Sequence, residues 1–214
     1  MEAEAKEERH HAILDAAERV LARSPDGHAN VADVAHEAGL AKGTVYLYFR
    51  SKEELLLAVH ERNIDGFFRA LISRLEGGRA VAIDDIIEFM NRHIVLPPLF
   101  LPLAARCFGM MGEGVSVEAM TAFKDRMAAR LQRAGAGLER HFPDLAAGEG
   151  VGLLRHSYAL ITGLWNMVGD SNGGSCAIGI DAANEAAFTQ AFSDDLDRAL
   201  RALWEGTAGQ RRAR

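Results

Sequence analysis

Apolar residues recur at helical spacing along most of the chain. Between residues 10 and 23 they fall at positions i, i+1, i+4, i+7 and i+8 and form one stripe: Ile13, Leu14, Ala17, Val20 and Leu21. Comparable patterns, separated by breaks that contain glycine or proline, cover 52–75, 83–96, 99–111, 116–141, 150–168 and 182–205. No segment shows the period-2 alternation between hairpin turns that is typical of a strand. The pattern therefore predicts an all-α fold of about nine helices.

Two short helices are predicted between residues 30 and 49. Asn30 can cap the first helix, Gly39 can end it in the left-handed conformation, and residues 42–49 form the second. Such a pair fits a helix-turn-helix, whose second helix enters the major groove of DNA. Val45 and Phe49 lie four residues apart and form the inward face of that helix. The other side chains can reach phosphate oxygens, base edges and thymine methyl groups: Lys42, Thr44, Tyr46 and Tyr48.

The sequence of this region resembles the DNA-binding domain of the tetracycline-repressor-like (TetR) family of bacterial regulators. Its Ala-x-x-Ala-Gly turn at 35–39, its Gly-Thr-x-Tyr-x-Tyr-Phe helix at 43–49 and its Ser-Lys-Glu-x-Leu segment at 51–55 follow in the family's order. The resemblance covers about residues 8–58. It implies DNA contacts from six residues, of which the last would bind a phosphate: Lys42, Gly43, Thr44, Tyr46, Tyr48 and Lys52.

The resemblance also implies how the chain is divided. A three-helix DNA-binding domain would occupy residues 1–51, and a larger helical ligand-binding and dimerisation domain would occupy residues 52–214. The long helix that begins near Ser51 would link the two and carry a ligand signal to the DNA. Residues 9–52 hold six basic and five acidic side chains, and the whole chain carries a net charge of −6. We therefore expect modest, salt-sensitive non-specific DNA affinity.

A set of soft and aromatic side chains lies in the predicted ligand-binding domain. Apolar side chains between helices form sites for small molecules, and methionine adapts to varied ligands. The same side chains also suit ordinary core packing, which stays the alternative. The predicted pocket for a small hydrophobic effector is lined by Phe100, Phe108, Met111, Phe123, Met127 and Trp165.

Two helices are candidates for a dimer surface. Helix 150–168 is apolar on most sides, so it must be buried all round, and the last helix carries large apolar residues three or four apart. Packed on their symmetry mates, they would form the four-helix interface that the resemblance implies; alternatively, they only close the monomer core. The predicted interface residues are Leu160, Leu164, Phe192 and Leu196.

Other chemistry is weakly indicated. Ser171 lies in a Gly-x-Ser-x-Gly pattern, but this pattern follows a predicted helix, whereas a hydrolase places its serine on a strand-turn-helix. His93 and His156 lie in apolar helices, lack metal-ligand spacing and are typical of core histidines. No catalytic residue, metal or cofactor is therefore expected. The longest apolar stretch has twelve residues, too few to span a membrane. The two cysteines cannot build a disulfide framework. Both observations favour a cytoplasmic protein.

Together these features predict a ligand-responsive transcriptional regulator. We expect a repressor that binds a palindromic operator in double-stranded DNA as a homodimer and is released by a small hydrophobic effector. A helix-turn-helix protein without a ligand switch and a Ser171-dependent hydrolase are the alternatives.

Overall fold

The predicted all-α fold is confirmed. The computed structural model describes residues 2–23, 30–109, 114–169 and 192–209, and in these ranges it contains nine α-helices, one π-helical turn and no strand. The helices are α1 (Glu2–Arg23), α2 (Val31–Glu37), α3 (Lys42–Tyr48), α4 (Lys52–Glu76), α5 (Ile83–Met90), α6 (Phe100–Gly109), α7 (Val117–His141), α8 (Glu149–Gly169) and α9 (Phe192–Ala208), with the π-helical turn at Asn91–Val95. Met111, Ser171, the side chain of Phe108 and residues 182–191 of the predicted last helix lie outside the described part.

The chain forms two compact units. The first comprises Met1–Gly66 and Pro97–Arg126, and the second comprises Phe67–Leu96 and Met127–Arg214. The helix-turn-helix segment therefore shares its unit with α6 and the beginning of α7. Whether residues 1–51 and 52–214 act as separate functional domains stays a prediction.

The core of the first unit joins segments that are distant in sequence. Three α-helices of the amino-terminal segment and the first turns of α4 supply most of it, and Leu103 of α6 is buried in the same cluster. We call the part formed by α1–α3 and the first turns of α4 the head. Leu99 packs against the head's core from just before α6. A segment more than forty residues beyond the head thus completes its core.

The second unit contains a close crossing of α7 and α8. A Cβ atom added at Gly135 would lie 2.7 Å from the backbone nitrogen of Val151, and one added at Gly150 would overlap the carbonyl oxygen of Gly135. Glycine at both positions therefore lets the two backbones approach. Nearby, the fully buried Trp204 of α9 donates a hydrogen bond from Nε1 to Oγ of Ser157 in α8, at 2.9 Å.

Candidate nucleic-acid interface

Local interactions set the helix-turn-helix geometry as predicted. The Asp33 backbone N–H donates to Oδ1 of Asn30 at 2.8 Å, which caps α2. Gly39 ends the helix with φ of +67°, and the Leu40 N–H then donates to the Ala35 carbonyl at 2.8 Å. Ala41 precedes α3 without a side-chain cap, so α3 begins without the hydrogen bond that a serine or threonine would accept.

The two faces of α3 are clearly separated. Val45 and Phe49 are 1% and 5% exposed and pack into the head's core, which is the inward face that the sequence predicts. Lys42, Gly43 and Tyr46 are exposed, and Nζ of Lys42 lies 5.9 Å from the centre of the Tyr46 ring. The other three predicted DNA contacts are half-buried: Thr44, Tyr48 and Lys52.

One exposed residue of α3 is missing from the predicted contacts. Leu47 is 82% exposed, the highest value among the exposed large apolar side chains in the described ranges. The sequence already indicates that it cannot face inward together with Val45 and Phe49. Apolar residues are normally assigned to a core, so only its exposure reveals Leu47 as a candidate contact for thymine methyl groups.

Ion pairs hold α2 against α1. Nε of Arg19 donates to Oε1 of Glu37 at 2.6 Å, and Nη1 of Arg23 donates to Oε2 of the same carboxylate at 3.0 Å. These hydrogen bonds lower the pKa of Glu37 below its ordinary value. Two of the basic side chains in the head therefore share one carboxylate, which offsets one of their two charges. Lys42 and Lys52, by contrast, form no ion pair with the described residues, so both charges are available to phosphates.

The start of α4 is tied to the segment that leads into α7. Oγ of Ser51 accepts a hydrogen bond from the Glu54 N–H at 3.0 Å and donates to the Gly114 carbonyl. The Glu54 carboxylate accepts from the N–H groups of Arg50 at 2.9 Å and Ser116 at 3.1 Å. Burial raises the pKa of Glu54, but its hydrogen bonds to Ser116 and Arg50 outweigh that effect and leave the pKa below its ordinary value.

Farther along, α4 contacts α6 and α7 through two more side-chain pairs. The ring of His60, which is 2% exposed, meets the buried Phe100 ring edge to face at a centroid distance of 5.3 Å. Burial lowers the pKa of His60 to about 4. Arg126 donates two hydrogen bonds to the Glu61 carboxylate, at 2.5 and 2.7 Å. The head is therefore continuous, through α4, with α6 and the first half of α7.

The predicted pocket residues are distributed over both units. Phe100 is buried and Phe123 is half-buried in the first unit, whereas Met127 and Trp165 are half-buried in the second. Trp165 meets the Phe192 ring at 5.7 Å. The effector pocket stays a prediction.

The predicted dimer residues differ in exposure. Leu160, Leu164 and Phe192 are half-buried, but Leu196 is 0% exposed within the single chain. Leu196 is therefore a core residue of the second unit, because its position on the apolar stripe of α9 turns it inward. The exposed part of α8 instead includes Ala159, which can contact a partner. The interface itself stays a prediction.

The other sequence candidates gain no site from the structure. His156 is exposed, and His93 is half-buried and stacks on Phe89 at 4.2 Å. No group of three or more histidine, cysteine, aspartate or glutamate side chains in the described ranges is arranged to hold a metal ion. Burial raises the pKa of Cys107 to about 12, which keeps its thiol protonated. In the same ranges, no helix is long and apolar enough to cross a membrane.

The fold and the exposed second helix of the helix-turn-helix define the class of a DNA-binding regulator. A family model described as "Bacterial regulatory proteins, tetR family" matches residues 13–59, and one described as "Tetracyclin repressor-like, C-terminal domain" matches residues 61–211. The chain therefore belongs to the TetR family of transcriptional regulators.

Two individual relatives match only part of the chain. The chain is 30% identical over 84 residues to the fatty acid metabolism regulator protein of Bacillus subtilis (strain 168), across 39% of this chain and 43% of that protein. It is 32% identical over 87 residues to YvdT, an uncharacterised helix-turn-helix-type transcriptional regulator of the same organism, across 38% and 45%. The chain thus matches less than half the length of these relatives.

A crystal structure of a Mesorhizobium loti MAFF303099 protein assigned to the TetR family is similar over 92% of this chain and 96% of its own. Its TM-score is 0.51 and its identity is 16%, so it shows a shared fold.

Proposed function

We propose that this regulator is a repressor that binds a palindromic operator as a homodimer and leaves it when a small hydrophobic effector binds. One observation carries the proposal: the core of the head extends into α6. Leu103 of α6 is buried in the same cluster as Val45 of α3. A change in α6 can therefore alter the packing that supports α3, the second helix of the helix-turn-helix. The ligand acts only through a difference in affinity for the two conformations, and a tenfold loss of operator affinity requires about 1.4 kcal/mol.

The proposed DNA contacts rest on exposure, charge and space. Lys42, Tyr46 and Lys52 supply donors, and a Cβ atom added at Gly43 would meet nothing within 4 Å. Gly43 has no positive φ and no close neighbour that would require glycine. The lack of a side chain there would instead let the DNA backbone approach α3 closely.

An operator selected from a random DNA pool tests these contacts. Tyr46→Ala should weaken specific binding strongly. Lys52→Ala should weaken all sequences alike and reduce the salt slope by about 1, as expected for a phosphate contact. Lys124→Ala, at an exposed position on α7, is the control. Parental binding by both head variants would contradict the assignment.

The proposed dimer interface lies on α8 and α9. Ala159, Gly163 and Met167 are exposed on α8, and a Cβ atom at Gly163 would meet nothing within 4 Å. The monomer therefore has room for a side chain at position 163. We expect Gly163→Arg to produce a folded monomer with reduced operator affinity, whereas Ala136→Arg, at an exposed position of α7, should leave the dimer intact. Half-sites should lie about 34–36 Å apart or at a multiple of that distance. A Gly163→Arg monomer that still binds tightly would refute the proposal.

The effector proposal is tested by titrating apolar compounds while tryptophan emission and operator release are measured. Trp165 is half-buried and should report binding, whereas the fully buried Trp204 should not. Phe123→Arg should keep operator binding and lose release. Operator binding that never responds to apolar compounds would favour a regulator without this switch.

A further inference from the structure

The second unit contains a cleft that none of the predicted sites includes. Its volume is about 280 Å³, and it lies where the end of α4, α5 and the π-helical turn meet. Val81, Ile86 and Phe89 supply its apolar lining. The cleft is therefore large enough for a small organic molecule and offers an apolar surface to a ring.

One wall of the cleft is already organised by hydrogen bonds. Arg74 donates to the carbonyls of Arg79 and Ala80, at 3.0 and 2.8 Å, and to Oδ2 of Asp85 at 3.3 Å. Oδ2 of Asp85 also accepts from the Ala82 N–H at 2.9 Å. These two side chains neutralise each other and fix the connection between α4 and α5, so neither needs a ligand.

The cleft also carries two charged side chains that are not paired within the described part of the chain. Glu88 and Arg92 are exposed on the cleft, and neither forms an ion pair with the described residues. Arg92 lies in the π-helical turn Asn91–Val95, and such turns occur frequently at functional sites. The guanidinium of Arg92 is a planar, permanently charged donor that matches a carboxylate.

An aromatic pair stands beside this cation. The His93 ring, next to Arg92 in the π-helical turn, stacks on Phe89 at 4.2 Å with an interplanar angle of 27°, and Phe89 meets the buried Phe67 ring at 5.7 Å. Burial, followed by the charge of Arg92, lowers the pKa of His93. Phe67 of α4 therefore supports the stacked pair, and the pair supplies an aromatic surface to the cleft.

We propose that this cleft binds a small aromatic monocarboxylate. Its carboxylate pairs with Arg92, and its ring packs on the apolar surface formed by Val81, Ile86 and Phe89. Glu88 repels a second negative charge, which selects a monoanion over phosphate or a dicarboxylate. This binding site shares no residue with the predicted effector pocket and does not depend on operator binding.

Isothermal titration of the free protein tests the proposal, with 2-naphthoate as the probe. We expect saturable 1:1 binding, at least tenfold weaker binding of the neutral 2-naphthylmethanol, and weaker binding of inorganic phosphate. Arg92→Gln should raise the Kd for 2-naphthoate at least tenfold. Arg140→Gln, which removes an exposed arginine of α7, should change it less than twofold.

A third variant tests the selection against a second charge. Glu88→Gln should strengthen binding of naphthalene-2,6-dicarboxylate more than that of 2-naphthoate. Absence of 2-naphthoate binding, an unchanged Kd in Arg92→Gln, or equal binding of the alcohol or phosphate would overturn the proposal. Because Arg92 and Glu88 are exposed, circular dichroism of both variants should match that of the parent.

Discussion

The buried His60 should make the stability of the protein depend on pH. Its ring is 2% exposed, and burial lowers its pKa from 6.5 to about 4. In the unfolded chain the imidazole regains its ordinary pKa, so between these two values the unfolded state binds more protons than the folded state. The stabilisation is therefore complete above pH 6.5 and is lost as the pH falls toward 4.

The size of the effect follows from the two pKa values. One unit corresponds to about 1.4 kcal/mol, so the full difference is worth about 3 kcal/mol, of which about 2 kcal/mol is lost between pH 7 and pH 5. This is a large part of the usual stability of a domain. The loss comes from charging an imidazole beside the apolar Phe100 ring.

Urea unfolding at pH 7, 6 and 5, at one protomer concentration, measures the effect against a His60→Gln variant. Glutamine keeps a polar side chain of similar size but does not titrate in this range. Other groups, including Glu37 and Glu54, whose lowered pKa values also cost stability in acid, are present in both proteins and cancel. The parent should lose about 2 kcal/mol more than the variant between pH 7 and pH 5. A difference between the two proteins that stays constant across this range would refute the reasoning.

Three further predictions concern packing, DNA readout and thiol reactivity. Gly150→Ala should lower the free energy of unfolding by about 1–3 kcal/mol, because its Cβ overlaps the Gly135 carbonyl. Gly66→Ala, inside α4, should raise it by about 1 kcal/mol, because its Cβ meets nothing within 4 Å; equal effects in urea unfolding would contradict the close crossing. Leu47→Ala should weaken the free energy of operator binding by about 1 kcal/mol at sites with thymine opposite α3. An unchanged Kd would show that Leu47 does not contact the operator. Iodoacetamide should modify Cys107 far more slowly in the native protein than in urea, as peptide mass mapping can measure; equal rates would show that the thiol is accessible.

The local geometry of the helix-turn-helix could be predicted from the sequence because its causes lie within a few residues. The cap from Asn30, the left-handed stop at Gly39 and the uncapped start at Ala41 each depend on neighbouring backbone groups. The spacing of Val45 and Phe49 likewise determines which face of α3 turns inward. Periodicity thus predicts the helices and the inward face of α3.

Contacts between distant segments could not be predicted in this way. Periodicity identifies an apolar stripe but not the surface that covers it. The predicted interface therefore includes Leu196, which the structure buries within one chain. The burial of Leu103 in the core of the head and the bond from Ser116 to Glu54 join segments 40 or more residues apart. Only the tertiary structure brings them together, because packing and hydrogen bonding depend on distances in space that a single sequence does not contain.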